Sequence, residues 1–310
     1  FISKEVLTMK KLMIFLSIIS LFLLTSCGDN QQQTNTGGVF IGGTQGIVAS
    51  FEPFSVKVDN LYTIFDTEDF PIDVILKNKG EEIVAPGKVT LRLLGPAKED
   101  FQNIPQWQVL NKEEISKISE FNPDGGEEVV SFTPTTNARY TALVTGFTDL
   151  TWNLEYMYDY KTHAIMNDVC FKGDFTDAKV CDVKGDKTFA VSGAPITVTK
   201  MSQDTAGKGV IVLKIDISNA GKGQSTFVGK DFDERFSQVS YGVDDAAKWE
   251  CKSGGRENEA RLVDGKAQII CRLKAPVPES DVFTKSLRLT LNYKYKELIQ
   301  EKLRIKESAE

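Results

Sequence analysis

Beyond residue 50 the chain alternates apolar and polar side chains with a period of two. Phe54, Val56 and Val58 alternate with polar neighbours, as do Phe70, Ile72, Val74 and Leu76, and then Val89, Leu91 and Leu93. The second half repeats the pattern in Leu213, Ile215 and Ile217, in Val239, Tyr241 and Val243, and in Leu287, Leu289, Leu291, Tyr293 and Tyr295. Such alternation marks half-buried strands of antiparallel sheets, one face turned to a core and one to water. Helical periodicity is scarce, and residues 109–121 are the one short stretch that fits a helix.

Two internal matches turn these strands into an architecture. Phe70-x-Ile72-x-Val74-x-Leu76-x-Asn78-x-Gly80 matches Ile211-x-Leu213-x-Ile215-x-Ile217-x-Asn219-x-Gly221 at an offset of 141. Leu154-x-Tyr156-x-Tyr158-x-Tyr160-Lys161 matches Leu289-x-Leu291-x-Tyr293-x-Tyr295-Lys296 at an offset of 135. Asn-x-Gly suits a strand that stops in a tight turn, because both residues tolerate positive φ. A further apolar segment follows each tyrosine-rich strand, at 169–171 and 303–305, which predicts a closing hairpin in each half. The expected fold is all-β: two tandem immunoglobulin-like β-sandwiches, 50–171 and 194–306, joined by a connection at 172–193. Residues 96–126 have no counterpart in the second unit and read as an insertion that carries Trp107.

The beginning of the chain reads as an address. Residues 1–8 precede Met9 and read as upstream reading frame. Lys10 and Lys11 then lead an apolar run, 12–24, that ends in Leu24-Thr25-Ser26-Cys27. As a helix the run would reach only about 20 Å, short of a hydrocarbon core of roughly 30 Å, so a cleaved signal is expected instead of a permanent span. The Leu-Thr-Ser-Cys ending looks like a lipobox, which makes 1–26 the upstream residues and signal peptide and Cys27 the lipidated first residue. Acyl chains contribute roughly 0.8 kcal/mol per buried CH₂, enough in pairs to hold a folded body at a membrane. The polar stretch after Cys27 offers little to bury, and 27–49 reads as a flexible tether.

Charge and cysteines narrow the setting. Lys+Arg number 37 and Asp+Glu 43, a formal charge of -6. Loss of residues 1–26, which carry net +2, would take it to -8. With no basic run either, a nucleic-acid partner is not expected. Beyond Cys27 there are Cys170, Cys181, Cys251 and Cys271, which allow three pairings. Locality favours Cys170 with Cys181 and Cys251 with Cys271, and an exported protein is the setting in which such bridges persist. Zinc would need close paired spacings that these cysteines lack.

Chemistry-bearing motifs are few. One histidine, His163, rules out any site that needs two, and no glycine-rich phosphate loop, Gly-x-Ser-x-Gly elbow or His-Glu-x-x-His is present. No catalytic residues, metal or cofactor are expected. Acidic turns at Asp174, Asp177 and Asp182, at Asp231, Asp233 and Glu234, and at Asp244 and Asp245 are places where calcium could be held, with solvated loops as the simpler account. Trp107 and the ladder Tyr156, Tyr158, Tyr160 are the candidate ligand contacts, either as an exposed stacking platform or as core aromatics.

The alternating strand ending in Asn-x-Gly, then Ala85-Pro86-Gly87 and a second apolar strand at 89–93, resembles the CARDB class of cell-adhesion-related immunoglobulin-like domains. Gly42-Gly43-Thr44-Gln45-Gly46, the tyrosine-rich strand leading to Cys170, and Gly193-Ala194-Pro195 are similar to landmarks of archaeal surface lipoproteins with such domains in tandem. The second unit lacks the Ala-Pro-Gly step. The resemblance implies a lipid-anchored, extracytoplasmic protein of the cell surface with a structural or adhesive role. It would act through contact with an envelope or cell-surface protein and carry out no reaction. The alternative is a carbohydrate- or solute-binding surface lipoprotein.

Overall fold

Two strands organise the molecule. Phe147–Lys172 and Val282–Lys306 are 26 and 25 residues long and pair antiparallel along nearly their whole length, where an average strand has about 5–6 residues. The computed structural model describes residues 39–176, 180–233 and 235–309, which lie in one compact unit, Asn35–Glu310. Cys27 and the signal segment lie outside the described residues, as do Asp177 and Glu234.

The hairpins predicted after Tyr160 and Tyr295 do not form. Lys161, Thr162 and His163 continue the alternation, and Thr162 is buried with its hydroxyl against the Ile196 carbonyl, 2.5 Å away, and the Tyr293 hydroxyl, 3.0 Å away. The polar residues that looked like a turn are one more alternating step, and the partner strand comes from the other half of the chain. A bulge between Met166 and Val169, with Asp168 at φ 51°, then shifts the register, and 169–172 are all buried.

The duplication is visible in this pairing. The offset of 135 carries Asp159 onto Lys294, which is its own cross-strand partner, while Tyr158 faces Tyr295 and Tyr160 faces Tyr293. A local two-fold axis therefore passes between Asp159 and Lys294. Around it, Val89–Gly95 flanks the first long strand with Leu91 opposite Tyr156, and Ser237–Val243 flanks the second with Tyr241 opposite Leu291. These four strands are the centre of a ten-stranded sheet, which Leu61–Phe65 joins in parallel to the end of Val282–Lys306.

One face of that sheet is dry. Trp152, Leu154, Tyr156, Tyr158 and Tyr160 share it with Leu289, Leu291, Tyr293 and Tyr295, and all are buried. In the first half they pack with a three-stranded sheet made of Ile47–Phe51, Asp73–Asn78 and Glu127–Ser131. In the second half they pack with a six-stranded sheet whose centre is Ile196–Thr205, Ile211–Asn219 and Lys266–Leu273. The apolar positions of the duplicated strand thus fall inside in both copies, as its period requires.

The protein is all-β. Among the described residues the only helical pieces are three-residue 3₁₀ turns at Lys98–Asp100 and Ala246–Lys248. The stretch with helical periodicity, 109–121, instead begins in the edge strand Gln108–Leu110. Both disulfides form, Cys170 with Cys181 and Cys251 with Cys271. The second joins directly opposed residues of Trp249–Ser253 and Lys266–Leu273, and Trp249, two residues before it, is buried against Phe171.

Candidate functional site

The tyrosine ladder lies at the centre of the molecule. Tyr156, Tyr158 and Tyr160 are each 1% exposed, and Tyr293 and Tyr295 are fully buried. Burial holds all five phenols well above their ordinary pKa. The ladder is therefore core and not an exposed stacking platform, because both covering sheets pack over its face.

Its hydroxyls have a specific task. The Tyr160 hydroxyl donates to Asn78 Oδ1 at 3.0 Å and accepts from the Glu82 amide at 3.2 Å, while Asn78 Nδ2 donates to the Glu82 carbonyl at 2.7 Å. The second half repeats the arrangement. The Tyr295 hydroxyl donates to Asn219 Oδ1 at 2.8 Å and accepts from the Gly223 amide at 2.9 Å, and Asn219 Nδ2 donates to the Gly223 carbonyl at 2.8 Å. The sequence suggested that Asn-x-Gly favours positive φ. The asparagine's larger contribution is this closed ring of hydrogen bonds, whose tyrosine lies 82 residues away in the first half and 76 in the second.

The glycines beside these rings mark a crossing of chain segments. A side chain at Gly80 would collide with the Tyr160 hydroxyl and with the carbonyls of Gln45 and Gly193. Glu81, next in sequence, is 9% exposed and accepts backbone amides from Ile41 at 3.0 Å, Gly42 at 2.9 Å and Gly193 at 2.7 Å. Its carboxylate ties the first described residues and the end of the connection to the first half.

Trp107 is half-buried, its indole nearly parallel to Trp152 with ring centroids 6.3 Å apart. Phe54, Phe70, Phe101 and Tyr140 complete that cluster, so residues 96–126 are tied into the fold through Trp107 and Phe101. His163 lies mid-strand on the outer face, its Nδ1 3.3 Å from the Thr290 hydroxyl and its Nε2 3.6 Å from Glu82. Burial pushes the Glu82 carboxyl up, but the hydrogen bond and charge of His163, together with Lys161, outweigh it and hold the group below its ordinary range. Of the acidic turns, Asp245 pairs with Lys248 and Lys285, Asp233 with Arg235, and Asp174 caps Thr176. Among the described residues no three metal-ligating side chains converge.

Two of the surface recesses are lined mainly by apolar side chains and uncharged polar ones. An apolar cleft of about 430 Å³ lies at the far end of the second half, with Phe171, Trp249, Leu273 and Phe283 in its wall. Phe283 is 46% exposed and stacks on Phe171 with centroids 4.9 Å apart. The second recess is an open groove of about 560 Å³ on the side of the first half, between Gln108–Leu110 and residues 130–134. Each side of that groove ends in an edge strand: Gln108–Leu110 closes one sheet and Glu127–Ser131 the other. Above it the Glu128 carboxylate, buried, takes the amides of Lys112 at 2.7 Å and Glu113 at 3.3 Å and so bridges the two sheets. Neither recess was legible in the sequence, since each arises from strands far apart in the chain.

No family model matches the chain, and no curated protein does. Among solved structures, the secreted serine protease VesC from Vibrio cholerae is similar over 80% of this chain and 50% of its own, at 9% identity and a TM-score of 0.19. That score is too low for a shared fold, and the chain spans about half the length of that structure.

Proposed function

We propose that the chain is an extracytoplasmic surface protein, lipid-anchored at Cys27, which works by contact with another protein and carries out no reaction. In this reading the two halves are tandem immunoglobulin-like sandwiches, fused along the long strands and rigidified by the tyrosine–asparagine rings. The observation that carries it is the open side of the first half. Two bare edge strands present Leu110 and Val129 to solvent, 45% and 52% exposed, and such edges are liabilities unless something uses them. The two disulfides support the location, since bridges of this kind persist in oxidising compartments. The glycan-binding alternative loses its tyrosine platform to the core.

Detergent phase separation of cell extracts, coupled to crosslinking of intact cells, tests the reading. The native chain is expected in the detergent phase and Cys27→Ser in the aqueous phase, with a discrete crosslinked protein adduct on the surface. A native chain that stays aqueous, uncrosslinked and inside the cell overturns it.

A further inference from the structure

The two halves allow a direct comparison of their sides. Aligning Leu76 with Ile217 carries Glu128 onto Ala267 and Val130 onto Ile269, since these are their respective cross-strand partners. Phe132, whose amide donates to the Ile72 carbonyl, likewise falls on Cys271, the partner of Leu213. In the second half one more strand covers this edge: Trp249–Ser253 runs antiparallel along it, with Cys251 opposite Cys271 and Trp249 opposite Leu273. In the first half no strand among the described residues pairs with the outer edge of Glu127–Ser131. The groove lies where that strand would be.

We infer that this groove is an acceptor site for an extended segment of a partner protein, which adds antiparallel to Glu127–Ser131 as Trp249–Ser253 adds to Lys266–Leu273. The inference rests on the contact reading above and names where the contact is made and what makes it.

The backbone is poised for such pairing. The bonds from Phe132 to Ile72 and from Asn78 to Gly126 assign the even-numbered residues of the edge to the inner ladder. Antiparallel pairing alternates, so the amides and carbonyls of Val129 and Ser131 point outward. The floor is apolar, with Val109, Val130 and Phe132 beneath, and it suits a guest with an aromatic residue and a small residue at alternate positions, as Trp249 and Cys251 are in the second half. Lys112 is the one charged residue lining the groove, at the end near Glu128. An antiparallel guest brings its C-terminal end there, so a carboxylate in that position completes the match. The occupant is thus an extended segment with an aromatic residue, a small residue two positions on, and an acidic residue after it. The chain's own strand of this type is not free to serve a second copy, because the Cys251–Cys271 bridge fastens it in place.

Fluorescence anisotropy with the full chain and a labelled peptide tests the site. The peptide is residues 247–253 with Cys251→Ser and Lys252→Glu, so that it presents the aromatic, the small residue and the acid in order. Saturable binding is expected. Val129→Pro removes only an outward amide, a change an edge strand tolerates, and is expected to weaken binding about tenfold or more at an unchanged melting temperature. Lys112→Glu is expected to weaken this peptide and to strengthen the version that keeps Lys252. If Val129→Pro lowers the melting temperature, Leu110→Glu at an exposed position supplies the same readout. No saturable binding, or binding that ignores both groove variants, overturns the inference. So does a dimer in sedimentation that Val129→Pro dissolves, which would assign the groove to a second copy. Crosslinking from position 110 in intact cells separates the two levels: a surface-protein adduct that survives Val129→Pro removes the acceptor site and leaves the contact reading standing, whereas a chain with no adduct at all removes both.

Discussion

In the first half Asn78 closes its turn through Tyr160, and in the second Asn219 does the same through Tyr295, bond for bond. At their sides the halves diverge, one edge covered by a disulfide-fastened strand and the other open above Val130 and Phe132. The ring recurs in both copies around a buried tyrosine, and losing one partner strands the others. The side was free to differ, because an edge strand can be satisfied by water, by a neighbouring strand or by another molecule.

The shared core offers the largest effect with which to probe that comparison. All five ladder phenols are held above the ordinary tyrosine pKa of about 10, so the folded state keeps protons that the unfolded chain would lose. Their contribution to stability is complete below about pH 10 and declines as pH rises, by about 1.4 kcal/mol per pH unit for each tyrosine. Tyrosinate absorbance followed together with near-ultraviolet circular dichroism is expected to show one cooperative alkaline step for both halves. Two separated steps would mean that the long strands do not couple them.

A smaller effect compares the rings themselves. Asn78 is fully buried and its amide also reaches the Ile115 carbonyl at 3.2 Å, whereas Asn219 is partly exposed. Asn78→Ala is expected to cost about 3 kcal/mol and Asn219→Ala about 1–2 kcal/mol in urea unfolding. Equal losses would show that burial does not distinguish the copies.

The smallest effect lies between the equivalent residues Tyr158 and Tyr293. The Tyr293 hydroxyl is bonded to Thr162, while that of Tyr158 has no partner among the described residues. Tyr293→Phe is expected to lose about 1 kcal/mol, and Tyr158→Phe to change stability by less than about 0.5 kcal/mol or to raise it. Thermal melts of the two variants side by side check the sign.

Much of the fold was legible because it is written in short-range patterns. Alternation at Phe70 to Leu76 and at Ile211 to Ile217 gave strands and their inner faces, the offsets revealed the duplication, and locality paired the four cysteines. What was hidden depends on contacts between distant segments. Lys161-Thr162-His163 resembles a turn until Tyr293 and Ile196 are placed beside Thr162, which makes it one more step of a continuous strand. The tyrosines declared their periodicity but not their depth, since a buried and an exposed ladder alternate alike. The groove left no local mark at all: Val109 and Phe132 meet only after two sheets have assembled.

Glu81 gives the molecule a mechanical property. Tension reaching the body along the backbone ahead of Val39 meets three amides gathered on one carboxylate, at the spot where Gly42 and Gly193 come together. A pull applied there loads Gly42, Glu81 and Gly193 together, through hydrogen bonds to one buried carboxylate. A carboxylate-to-amide change at that residue would weaken the fastening, because an amide nitrogen cannot accept a hydrogen bond.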